Sequence, residues 1–165
     1  MKRIFLIGIL LVVMSFASCK GTKPLPEVAK DFTAVATIHS QNLSEDYILK
    51  AEVTVENASA FEINVTSPED LAGLSYLWNA DEFEMVYDEL HCKAEVDYLP
   101  EFGFAQIIRN VLCSVYENPC GEYTESGDVI FAGKCVSGGF ELLTDNKGKI
   151  RNISVEELNF SADFE

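Results

Sequence analysis

Histidine is almost absent from this chain. His39 and His91 are the only two in 165 residues, which leaves little for acid–base or metal chemistry. A Cys–His nucleophile pair needs its members apart in sequence and together in space, and Cys92 is merely the chain neighbour of His91. No Cys-x-x-Cys, Gly-x-Ser-x-Gly, His-Glu-x-x-His, phosphate loop or dinucleotide fingerprint occurs, so no enzyme class is indicated. Positive charge is scarce as well, with 12 Lys and Arg against 27 Asp and Glu and a formal charge of −15. A field of that sign excludes a phosphate-seeking nucleic-acid protein and favours solubility. The acidic residues Glu82, Glu84, Asp88, Glu89, Glu95, Asp97 and Glu101 lack the loop spacing of a calcium site and read as a solvated face. The expectation is therefore no catalytic residue, no metal and no cofactor.

Long apolar runs are missing too, except at the amino terminus. Lys2 and Arg3 precede an unbroken apolar stretch from Ile4 to Val13, which ends in Phe16-Ala17-Ser18-Cys19. This is the pattern of a secretory signal, too short for a good spanning helix. Small residues directly before a cysteine suit a lipoprotein signal peptidase, with residues 1–18 removed and Cys19 lipidated. Phe16 departs mildly from that pattern, standing where Leu or Val is commoner. The rival is ordinary cleavage after Ala17, leaving Cys19 a plain thiol. Residues 19–30, with Gly, two Pro and no apolar period, read as a stiffened tether. Lys20 and Lys23 would then lie near lipid headgroups. The expected location is the outer face of a bacterial membrane, with the membrane itself as partner. Loss of Lys2 and Arg3 leaves 10 basic residues against 27 acidic ones, a charge of −17. Residues 31–165 suit one domain with a real core. Five Asn-x-Ser/Thr sequences, at Asn42, Asn57, Asn64, Asn152 and Asn159, would matter only in a eukaryotic secretory route.

Four cysteines remain beyond Cys19: Cys92, Cys113, Cys120 and Cys135. An even count outside the cytoplasm suggests two disulfides. Cys113 with Cys120 across a short Pro-containing link is the favoured pair, leaving Cys92 with Cys135. Buried free thiols in the core are the alternative.

Alternation dominates the next stretch. Phe32, Ala34, Ala36 and Ile38 alternate with Thr33, Val35, Thr37 and His39; Tyr47, Leu49, Ala51, Val53 and Val55 share one face of a second strand. Phe61, Ile63 and Val65 continue in a third, after a turn at Asn57-Ala58-Ser59. That is the period of a sheet covered on one face and wet on the other. Ser67 to Gly73 predicts one helical turn, with Ser67 as cap, Pro68 at its first position and Gly73 at its stop. A hairpin follows around Asn79-Ala80-Asp81, carrying Trp78 on one arm and Phe83, Met85 and Tyr87 on the other. Phe104, Ile107, Ile108, Val111, Leu112 and Val115 form one apolar stripe at helical spacing over 104–116. Strands return around Val129–Gly133, Phe140–Thr144, Ile150–Val155 and Leu158–Phe164. The expected class is α+β: a mainly antiparallel sheet covered on one face.

In these features, spread over Asp31 to Glu165, the chain resembles the LolA-like domains, the superfamily of lipoprotein carriers and the sensor RseB. They are the opening meander, the Ser67-Pro68-Glu69-Asp70-Leu71-Ala72-Gly73 insertion, the helix from Phe104, the hairpin at Leu143–Ile150 and the closing Asn159–Phe164. The chain also resembles small Gram-positive lipoproteins of that fold. The resemblance implies a curved, open half-barrel with helices covering its concave face, and in carrier members an acyl site between sheet and helix. On it, the candidate ligand residues are Phe61, Ile63, Trp78, Phe83, Met85, Tyr87, Phe104, Ile107, Ile108 and Leu112. The competing reading makes the same residues a dry core. Two functions follow: a tethered binder of a lipid or acylated amphiphile, or an envelope interaction or sensor module with a filled core and no small ligand. Two disulfides stiffening the helix, and a tether preventing transit, would both count against a carrier.

Overall fold

A computed structural model describes residues 23–42, 45–79, 82–95 and 103–165; the leader, Cys19 and the start of the tether lie outside them. Eleven strands form a single antiparallel sheet. The first half runs β1 (Phe32–Asn42), β2 (Glu45–Glu56), β3 (Ala60–Ser67), β4 (Ser75–Asn79), β5 (Glu82–Tyr87) and β6 (Leu90–Glu95). One helix, α1 (Phe104–Glu117), leads to β7 (Gly121–Tyr123), β8 (Val129–Cys135), β9 (Gly138–Thr144), β10 (Ile150–Val155) and β11 (Phe160–Phe164). Spatial order is β6-β5-β4-β3-β2-β1-β11-β10-β9-β8-β7. Each half is thus a meander, and the halves are joined where β1 pairs with β11, Ala36 opposite Phe164 and Ser40 opposite Phe160. The sheet does not close, since β6 and β7 are terminal.

The alternation read from sequence fixes which face is covered. Leu49, Ala51, Val53 and Val55 of β2 and Phe61, Ile63 and Val65 of β3 are buried, while Lys50, Glu52 and Glu62 are exposed. Phe131, Leu142, Ile153 and Ala162 continue that face through the second half. Helix α1 lays Ala105, Ile107, Ile108, Val111, Leu112 and Val115 on it. No side chain caps α1 and no acid sits in its first turn, so packing rather than capping holds it. Its 14 residues span about 21 Å, yet they reach Tyr76 on β4 and also β8. Those strands are seven places apart, about 34 Å in a flat sheet. The sheet must therefore curve around the helix.

Several expectations need correction. The fold is mainly β, with one α-helix among the described residues rather than several. Ser67 to Gly73 is not a helical turn capped by Ser67. Ser67 ends β3, and successive reversals follow, with Leu71 N–H donating to Pro68 O and Ala72 N–H to Glu69 O. Gly73, at φ +91°, then hands its N–H to Val65 O. These turns bring the chain straight back onto β3, where Val65 N–H donates to Leu74 O at 2.8 Å and β4 pairs antiparallel. Strands β6 and β7 were not foreseen. The last part of the expected tether is docked on the domain: Val28 is 4% exposed within the core, Ala29 N–H donates to Gly148 O at 3.0 Å, and Tyr116 Oη donates to Ala29 O at 2.8 Å. Tyr123 Oη holds Pro24 O at 2.8 Å, and the Lys23 ammonium lies 4.5 Å from the Tyr123 ring centre.

The expected disulfides are not formed; Cys92, Cys113, Cys120 and Cys135 are all free thiols. Cys92 is on edge strand β6, whereas Cys135 ends β8, beside the opposite edge. Cys113 is half-buried against the core on α1, while Cys120 is exposed at the entry to β7. Cys113 and Cys135 are half-buried and pack against the core, so none of the four is the fully buried thiol of the alternative.

Candidate functional site

The β4–β5–β6 end of the sheet carries an unbroken apolar inner face. Register places Trp78 opposite Phe83 and Tyr76 opposite Met85, then Phe83 opposite Ala94, Met85 opposite Cys92 and Tyr87 opposite Leu90. Because side chains alternate between faces, all of these point to the side on which α1 lies. The helix reaches only the near part of that face. Phe104 meets Tyr76 edge-on at 5.3 Å between ring centres, and beyond it the small Ala94, Gly103 and Ala105 leave room. The result is a cavity of about 380 Å³, walled by Tyr76, Trp78, Phe83, Met85, Cys92 and Ala94 on the sheet and by the start of α1. Trp78 and Phe83 stand 5.1 Å apart, and Tyr76 stacks on Trp78 at 6.2 Å, both ordinary aromatic separations.

A second hollow of about 440 Å³ adjoins the first along β5 and β6, and the two share Met85 and Cys92. Leu71 and Leu74 from the β3–β4 connection wall it, with Tyr87 and Leu90. Tyr87 Oη donates to Asp70 O at 3.0 Å, fixing its ring against that connection. No charged side chain lines the first hollow. Burial pushes the Tyr76 hydroxyl above its ordinary range, so it stays neutral. Trp78 Nε1 and Gln106 Oε1, both on wall residues, are buried without hydrogen-bond partners.

The residues foreseen from sequence therefore divide. Trp78, Phe83, Met85 and Phe104 come together around the first hollow, and Tyr87 lines the second. Phe61, Ile63, Ile107, Ile108 and Leu112 are instead sealed between sheet and helix. They are core, because here α1 covers the sheet, with Arg109 lying over the Phe61 ring. Tyr76 was missed although it shares the alternation of Trp78. Cys92 and Ala94 were missed because β6 was.

The remaining polar groups are accounted for elsewhere. His91 and Cys92 are adjacent on β6 and so face opposite sides of the sheet. His91 Nδ1 bonds Glu84 Oε1 at 2.7 Å, and Lys93 lies 3.7 Å from the other oxygen. The hydrogen bond from His91 is the main cause that holds the Glu84 carboxyl below its usual range. Among the described residues no three His, Cys, Asp or Glu side chains approach as a metal would require. A larger open depression, about 610 Å³, lies over β8–β10 and the Glu156–Leu158 turn. Glu141, Glu156 and Glu157 line it, which suits an apolar chain poorly.

No protein-family model matches the chain, and no curated protein is significantly similar to it. Solved structures do match. The LolA superfamily protein NE2245 from Nitrosomonas europaea aligns over 86% of this chain and 86% of its own, at 7% identity and a TM-score of 0.47. An uncharacterized conserved protein from Thermus thermophilus aligns over 81% of this chain and 76% of its own, at 12% identity and a TM-score of 0.47. Likeness at this distance concerns the course of the chain alone. The sheet is open, antiparallel and curved on one helix, the half-barrel form that the sequence resemblance implied. Neither neighbour bears on kinship with Gram-positive lipoproteins.

Proposed function

We propose that this protein is a membrane-anchored, extracytoplasmic lipoprotein that holds a lipid or acylated amphiphile in the hollow between α1 and strands β4–β6. One observation carries the reading: a mainly aromatic and aliphatic wall, free of charged side chains, around about 380 Å³, beside a second, mainly apolar hollow. Apolar burial stabilises a bound chain by about 0.8 kcal/mol per methylene, and no charged side chain lines the first hollow to oppose it. The anchor rests on the leader and Cys19. With Pro24 and Lys23 seated on Tyr123, four residue steps separate Cys19 from the docked chain, a reach of about 14 Å. The short reach would hold the domain as a whole near the membrane, as suits a sensor or local acceptor better than a shuttle.

Native mass spectrometry with lipid extraction tests the binding. Stoichiometric co-purified amphiphile is expected. A clean apo mass, unchanged after incubation with membrane lipids, would remove the reading. Cys19→Ser should release the protein from the membrane fraction; continued membrane attachment would refute the anchor. The alternative, an interaction module, has one observation in its favour. Strand β6 is terminal in the sheet, and its Leu90 is 73% exposed, so a partner strand has an edge to pair with.

A further inference from the structure

We propose that the two neighbouring hollows take one alkyl chain tail-first, its end against Trp78 and its head in water beside Asp70 and His91, and that Met85 is the movable partition the chain passes. This rests on the reading of the hollow as a ligand site. Inner-face side chains of β4, β5 and β6 stand in cross-strand rows: Trp78–Phe83–Ala94, then Tyr76–Met85–Cys92, then Tyr87–Leu90. The first row lines only the first hollow, and the last row only the second. In the middle row Met85 and Cys92 border both hollows, while Tyr76 borders the first alone. Met85 therefore stands where the two spaces meet. From Phe83 to Tyr87 is four residues of β5, about 14 Å, so a chain that fills both hollows runs along this strand.

Burial and polarity give that path a direction. Trp78 and Phe83 are 2% and 6% exposed, Tyr76, Met85 and Tyr87 are half-buried, and Leu90 is 73% exposed. Charge follows the same gradient. The first hollow has no charged side chain in its wall, whereas the exposed Asp70 and His91 border the second. A polar head at the Trp78 end would give up its water for an apolar wall, at a cost. At the Asp70 and His91 end it keeps that water, and the tail buries the most apolar surface by pointing inward. Met85 suits a partition, because its unbranched thioether has three rotatable bonds and fills or vacates a gap with little strain. Tyr87 is the fixed element beside it, held by the bond from its Oη to Asp70 O at 3.0 Å. Rotation of Met85 joins the hollows while the outer wall stays in place.

Trp78 is the sole tryptophan and lines only the first hollow, so its fluorescence reports how far the chain has entered. The chain from residue 19 onward, carrying Cys19→Ser to remove the lipid, is titrated with dodecan-1-ol and with two brominated forms of it. One carries bromine on the terminal carbon, the other on the carbon next to the alcohol carbon, and bromine quenches tryptophan only at contact range. At equal occupancy, fixed by isothermal titration calorimetry, the terminal bromide should quench most of the Trp78 emission and the other bromide little. Equal quenching, or more from bromine near the head, would overturn the tail-first assignment and leave the apolar site standing. Met85→Phe, which fills the partition, should abolish quenching by the terminal bromide, and Met85→Ala, which opens it, should retain it. Loss in both variants or in neither would overturn the role of Met85, while the two bromides on the parent protein decide the direction of the chain without any variant. No binding of dodecan-1-ol would overturn the site together with the proposal.

Discussion

Leu112→Ala and Met85→Ala together separate core from cavity. Leu112 is fully buried between α1 and the sheet, so truncation removes its transfer free energy and leaves a sealed void, at a cost of about 3 kcal/mol. Met85 is half-buried and faces both hollows. It already lacks packing partners on one side, and its removal enlarges an open space rather than creating a closed one, so about 1 kcal/mol or less is expected. For a domain of this size those values are melting shifts of about 10 °C and at most about 4 °C. Urea unfolding followed by far-UV circular dichroism measures both. Trp78, the sole tryptophan, gives a second signal from the cavity wall. Equal, large losses for both variants would mean that the space around Met85 closes in solution and that the hollow is core. A loss under about 1 kcal/mol for Leu112→Ala would mean that the helix is not seated as described.

Gly148→Ala should cost about 1–2 kcal/mol. Its φ is +86°, a Cβ there would collide with the Glu27 carbonyl, and limited proteolysis should then cut within residues 23–30; an unchanged protease pattern would contradict the docked segment. Asp145 should contribute acid-labile stability. Its slight burial raises the carboxyl pKa, but the Lys147 and Lys149 N–H groups and the Arg151 guanidinium outweigh that and hold it below its ordinary range. A lowered folded pKa adds stability above the unfolded value near about pH 4, and the gain is lost as pH falls through the folded value. Asp145→Asn should therefore lower the urea midpoint at pH 6 more than at pH 2.5, and an equal loss at both would refute this. Thiol titration should find Cys92 and Cys120 reacting first and Cys113 slowly, since Cys113 is half-buried and burial pushes its thiol up; two missing thiols would indicate a disulfide after all.

The sequence alone determined the faces of the strands and the burial of α1, because both depend on local period. Val53, Ile63 and Ile108 had to point inward whatever lay opposite. The Phe104 boundary of α1 was equally legible, as was the inward set Trp78, Phe83 and Met85. Strand β6 was not. It is terminal and mostly exposed, so no pattern of burial marks Leu90 to Glu95, and with it went Cys92 and Ala94. The docking of Val28 was hidden for a related reason: one apolar residue among prolines makes no period, and its slot is built by the distant Gly148 turn. Only the tertiary structure decided which aromatics are core and which are wall. Phe61 and Phe83 look alike in sequence, and both are nearly buried. One lies under the helix, while the other lies where the helix ends and space remains. That difference comes from where a 14-residue helix sits on an eleven-stranded sheet, a long-range placement that no local spacing encodes.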